Sequence, residues 1–149
     1  MHATIDQSVD KLADLLVVDT NVVVSALLKA DSVPAAVLRC VLNGDALFAY
    51  DARILVEYRE VLRRSRFGFS PELVDQLLRY LADIGIAVAA TPLRVSLPDP
   101  DDAKFLEICL AAGEGAQMIT GNTRHYPEAS RQGAIVLTPR EWLDRWQSR

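Results

Sequence analysis

The chain has 149 residues and a mass of 16.4 kDa, one domain's worth, and half of its residues are apolar. That composition supports a sizeable core and excludes a disordered or collagen-like chain. The net charge of −4 and pI near 5.1 argue at first against a nucleic-acid binder, although where charges sit matters more than their sum.

Residues 1–13 are polar and read as an N-terminal extension, frayed or helical, ahead of one domain over 14–149. The apolar run Leu15-Leu16-Val17-Val18, ending in Asp19, predicts a buried strand. Asp31-Ser32 supplies N-caps and Pro34 a first-turn proline for a helix to about Asn43, which Gly44 stops. A second strand follows over 46–50. Ile54, Leu55, Tyr58, Val61 and Leu62 recur at helical spacing and predict an amphipathic helix over 53–65. Ser70-Pro71-Glu72 opens another, with Leu73, Leu77, Leu78 and Leu81 as its stripe. Residues 86–90 read as a third strand. A proline-bearing loop then leads through Asp99, Asp101 and Asp102 into a helix to about Ala112, ended by Gly113. Residues 117–120 and 134–137 read as strands four and five. Thr138-Pro139-Arg140-Glu141 is a capping box that opens the last helix, to about Gln147.

Strands alternating with helices predict an α/β fold around a mainly parallel five-stranded sheet. Ligands of such sheets bind beyond the carboxyl ends of the strands. No apolar run approaches the ~20 residues of a spanning helix, and the start of the chain has no signal-peptide pattern. Cys40 and Cys109, far apart, read as reduced, half-buried thiols of a cytoplasmic protein.

Strand-end residues are therefore the candidates for chemistry. Asp19, followed by Thr20 and Asn21, can bind a hard cation or cap the next helix. Glu57 lies between core positions Ile54 and Val61, where a carboxylate needs a partner: a metal, or an ion pair with Arg53 or Arg64. Three aspartates among four residues, Asp99, Asp101 and Asp102, exceed what capping needs, and periodicity leaves open which one faces the site. Thr120-Gly121-Asn122 ends strand four. If strands one and four are neighbours, Asp19, Asp102 and Asn122 converge, and a divalent metal would offset their repulsion. Oxygen-only ligands favour Mg²⁺ or Mn²⁺. His2 and His125 lack metal-like spacing, and His125 reads as a solvated loop residue. Arg59, Arg63, Arg64, Arg66 and Arg124 are candidate phosphate contacts, or a solvated surface. Tyr126 and Phe67 can stack on bases or pack in the core.

In this order these segments resemble the PIN domain family, and more closely its VapC-like toxin components: LVVDTNVVVSALL (16–28), ILVEYREVLRR (54–64), LPDPDDAKFLEICLAAGEGAQMITGN (97–122) and TPREWL (138–143). The resemblance covers about 15–143. It implies a three-layer α/β/α fold with strand order 3-2-1-4-5, and a Mg²⁺- or Mn²⁺-dependent ribonuclease. Carried over by position, the family's catalytic, metal-holding acids fall on Asp19, Glu57 and Asp102, which the resemblance implies hold one or two Mg²⁺ ions. Thr20 and Thr120 match supporting hydroxyl positions. Asn21, Asp99 and Asp101 are further supporting candidates, and Arg63, Arg64 and Arg124 are the RNA contacts. The fourth acidic position is Asn122 here, which removes one negative charge. A toxin of this kind implies an antitoxin partner and a homodimer or higher homo-oligomer. Two rivals remain: a PIN-like binding module without strong catalysis, and a haloacid-dehalogenase-like phosphatase, which would need a second acid where Asn21 stands.

Overall fold

The computed structural model describes residues 13–149, so the expected N-terminal extension lies, but for its last residue, outside the described residues. Leu16 and Val17 project to opposite faces of the first strand, β1 (Leu15–Val18), and neither is exposed. A strand buried on both faces needs cover on both sides, which makes three layers. The other strands are β2 (Leu47–Tyr50), β3 (Ile86–Ala87), β4 (Gln117–Ile119) and β5 (Ile135–Leu137). They line up as β3-β2-β1-β4-β5, and every neighbouring pair is parallel.

Six α-helices accompany the sheet among the described residues: α1 (Thr20–Leu28), α2 (Val33–Leu42), α3 (Ala52–Leu62), α4 (Pro71–Ile84), α5 (Ala103–Ala111) and α6 (Pro139–Gln147). The expected caps form. Ser32 and Ser70 accept from backbone N–H groups three residues on, and Thr138 with Glu141 closes a reciprocal capping box. Gly44 takes a positive φ of 83°, as a helix stop requires.

The element that the sequence pattern did not outline is α1. Thr20, Val22, Val23, Val24 and Ala26 are all buried, so no polar stripe marks its period. Its consecutive β-branched residues also favour strand over helix, and tertiary burial overrides that preference. Two further expectations change. The third strand pairs over two residues only, because Ile86 and Ala87 lie at an exposed edge. On α4 the buried face is Val74, Leu78 and Leu81, while Leu73 is 64% exposed. The stripe is rotated by one residue because i, i+4 and i+7 from Val74 face β2 and α3. Cys40 and Cys109 are buried rather than half-buried, and burial pushes the Cys109 thiol up to about 12.

Chain direction around the sheet positions the site. The chain moves from β1 through β2 to β3 on one side, then crosses back to β4 on the other. The crevice at the carboxyl ends of β1 and β4 is the switch point. Helix α5 packs against β1, β2 and β4, and α3 packs against α1, α4 and α5. These two helices bring the remaining acids to that crevice.

Candidate active site

Asp19 stands one residue beyond β1, with its backbone N–H bonded to the Ile119 carbonyl at 2.9 Å. The sheet itself fixes its place. Thr120, the residue after β4, is buried and donates its hydroxyl to Asp19 Oδ2 at 2.9 Å. Burial raises the Asp19 carboxyl above its ordinary range, and the charge of Glu57 adds to the rise. The Thr120 hydroxyl and the N–H groups of Asn21 and Thr20 oppose it. Asn21 itself is exposed.

Tyr58 anchors α3 to the strand that carries Asp19. Its ring is fully buried, and its hydroxyl donates to the Val18 carbonyl. The preceding residue, Glu57, is thereby held at the crevice. One Glu57 oxygen accepts from the Thr20 hydroxyl, and the other lies 2.6 Å from Lys104 Nζ. Neither expected arginine is the partner. Arg53 pairs with Asp51 at 2.8 Å and with Glu107 at 2.7 Å, while Arg64 is exposed. Glu107 is buried and also accepts from the Leu93 N–H at 3.0 Å, so the pair fastens the loop before α5. Sequence reasoning passed over Lys104. One signal was available: a lysine in the first turn of a helix runs against the macrodipole, and it needs another reason to be there.

The structure separates the three clustered aspartates. Asp99 accepts from the Asp101 N–H at 3.0 Å and caps the short 3₁₀ turn Pro100–Asp102. Asp101 is exposed and borders an open groove of about 500 Å³ shared with Arg53, Glu57, Glu60 and Lys104. Asp102 alone turns inward. Its Oδ2 is buried and accepts no hydrogen bond. Burial first, and then the charges of Asp19 and Asp99, push its carboxyl up to about 6.

The turn after β4 completes the crevice. Asn122 donates its N–H to the Thr120 hydroxyl at 3.2 Å, and its side-chain oxygen caps the turn Thr123–His125 through the Arg124 N–H at 3.2 Å. That oxygen is thus engaged in holding the turn. His125 is not a free loop residue, because its Nδ1 lies 3.3 Å from Asp102 Oδ2. Tyr126 is wholly buried, which removes it as a stacking platform for bases. Its hydroxyl has no partner, and burial together with the charges of Asp19, Asp102, Glu57 and Asp99 raises its pKa.

The basic candidates divide as well. Arg124 is exposed on the turn beside the acids. Arg63 is tied to Asp75 at 2.6 Å, with Arg59 at 3.7 Å from the same residue, so its charge is largely spent on α4. Arg64 and Arg66 are exposed, and Arg66 lies over the Phe67 ring, which stacks on Phe69.

Do these residues fit a divalent cation? Among the described residues no three His, Cys, Asp or Glu side chains close a ready-made metal cage. Mg²⁺ does not require one, since it keeps several waters and uses one or two carboxylates plus substrate oxygens. Asp19 and Asp102 supply such a pair. The buried Asp102 oxygen, which accepts no hydrogen bond and feels the charge of buried Asp19, is a ligand that a hard cation would satisfy.

A family model described as "PIN domain" matches residues 15–124. No curated protein matches the chain. Among solved structures, the chain is similar to one titled "Crystal structure of VapBC2 from Rickettsia felis bound to a DNA fragment from their promoter". The likeness has a TM-score of 0.55 at 14% identity, covering 83% of this chain and 98% of that one.

Proposed function

The chain belongs to the PIN domain family, and on that premise we propose that it is a Mg²⁺- or Mn²⁺-dependent endoribonuclease, the toxin of a toxin–antitoxin pair. The observation that carries this reading is the Asp102 oxygen, buried without a hydrogen bond, with His125 Nδ1 at 3.3 Å beside it, and coupled in charge to the buried Asp19 at the switch point. Asp19 and Asp102 would hold the cation, and Glu57 completes the acidic triad. A divalent ion supplies Lewis acidity there: it acidifies water and offsets charge on a scissile phosphate. The chain's own residues do the positioning. Thr120 orients the Asp19 carboxylate, and Thr20 orients that of Glu57. Tyr58 fixes the end of β1. Exposed Arg124 places positive charge at the rim, where an RNA backbone would otherwise meet acids, while Lys104 offsets Glu57 within the site.

Single-stranded or looped RNA is the proposed substrate, because its bases are accessible to a shallow, open site. The Rickettsia felis relative is named for a VapBC2 complex, which supports an antitoxin partner for this chain. Exposed Leu73 and Val56 provide apolar surface for that partner or for a second copy. Among the described residues no single helix is long and apolar enough to cross a membrane. The phosphatase rival loses ground because its second acid would be Asn21, which is exposed.

Incubating the purified chain with unstructured RNA tests the proposal. Cleavage in Mg²⁺ that stops with EDTA and returns on adding Mg²⁺ is expected. Undiminished cleavage in EDTA, or hydrolysis of small phosphate monoesters in place of RNA, would overturn it.

A further inference from the structure

We propose that Lys104 is a resident cation of this site, standing where a second metal would otherwise sit, so that the chain takes up one divalent ion, at Asp19 and Asp102. The proposal rests on the metal-dependent reading above and makes it narrower. Both Glu57 oxygens are already engaged, one by the Thr20 hydroxyl and one by the Lys104 ammonium at 2.6 Å. Lys104 is itself held in place. Its Nζ donates to the Asp101 carbonyl at 2.7 Å, and its side chain is only 14% exposed. An ammonium fixed by two oxygens at this depth does not swing away without leaving Glu57 uncompensated.

Across the crevice the accounting is opposite. The Asp102 Oδ2 and the Tyr126 hydroxyl are both buried and neither makes a hydrogen bond. The side chain beside that Asp102 oxygen is the His125 imidazole, at 3.3 Å, in place of a fixed ammonium such as Lys104. A hydrated divalent ion bound at Asp102 offers what such buried groups need, a positive charge for the carboxylate and a water for a hydroxyl. Glu57 has no such vacancy in its bonding. The residue at the end of strand four points the same way, since Asn122 contributes no charge and spends its oxygen on its own turn. Lys104 also differs from a metal in what it offers: a fixed ammonium can contact a phosphate oxygen but cannot acidify water. Glu57 is thereby a positioning residue, acting through Lys104.

Mn²⁺ titration of the chelator-stripped full-length chain by calorimetry tests this, with RNA cleavage recorded on the same preparations. Wild type is expected to bind one ion. Asp102→Asn should lose it, whereas Glu57→Gln should keep it. Lys104→Met, which removes the charge and keeps the stem, should raise the stoichiometry toward two. Lys104→Arg should restore one. A wild-type stoichiometry of two overturns the proposal without any variant, as does Lys104→Met still binding one. Wild type that binds no Mn²⁺ yet cleaves RNA overturns the metal-dependent reading as well, which distinguishes the two failures. Circular dichroism on each variant confirms that the fold is retained.

Discussion

Glu57 and Asp102 are carboxylates in the same crevice, yet their surroundings leave them in opposite states. Glu57 has both oxygens taken, by Thr20 and by Lys104. Asp102 keeps one buried oxygen without a hydrogen bond, and its carboxyl is pushed up to about 6 by burial and by Asp19 and Asp99. Residue type does not set the role of an acid here. The neighbour does, and the neighbours come from different elements: α1 and α5 for Glu57, the turn after β4 for Asp102. The contrast predicts that substitutions on the two sides differ in kind.

The largest effect is expected at Asp19. Asp19→Asn should take RNA cleavage to background while the chain still folds, because the buried amide can keep the Thr120 bond but lacks the negative charge that holds the cation. Retained cleavage would erase the contrast altogether. Next comes the orientation of that carboxylate. Thr120→Val should lower metal affinity or activity by about 10- to 100-fold, the usual cost of losing a partner behind a metal ligand. Metal titration of the variant measures it.

A pH experiment sharpens the comparison without assaying catalysis. The Asp102 carboxyl ordinarily titrates near 3.8 and is raised to about 6 in the fold. Between those values the folded chain keeps a proton that the unfolded chain has released. Its contribution to stability is therefore full below the lower value and lost as pH rises through the upper one. In EDTA, wild type should lose thermal stability relative to Asp102→Asn between those two pH values. Added Mn²⁺ at neutral pH should restore it by binding the ionised form. A pH-independent difference between the two proteins would contradict this. The smallest effect is structural: Tyr58→Phe should cost about 1 kcal/mol in urea unfolding, the net value of one hydrogen bond.

Much of this was legible in the residues. The strand order, and with it the switch point, comes from the family resemblance, whereas the buried run before Asp19, the capping residues and the mainly parallel sheet follow from short-range pattern. Helix α1 did not, because a segment buried on nearly every side carries no amphipathic period. The choice among Asp99, Asp101 and Asp102 was beyond periodicity too. It depends on a 3₁₀ turn in which Asp99 caps and Asp102 is driven inward. Lys104 pairing with Glu57 is a contact between α3 and α5, and sequence spacing cannot choose it over Arg53 or Arg64. Of the two readings open for Tyr126 the core one holds, and His125, read as a solvated loop residue, lies 3.3 Å from Asp102. Their setting is decided by the turn that Asn122 caps and by its seat against the acids.

Net charge is the last lesson of the comparison. A chain at −4 reads as unsuited to nucleic acid, but part of that charge is gathered in one crevice, with Lys104 inside it and Arg124 at its rim. The most direct test is RNA cleavage by wild type and by Asp102→Asn across a Mg²⁺ titration. Wild-type cleavage should rise with Mg²⁺ to a plateau, while folded Asp102→Asn stays at background throughout. Cleavage by Asp102→Asn that follows the wild-type curve would contradict the assignment of the site.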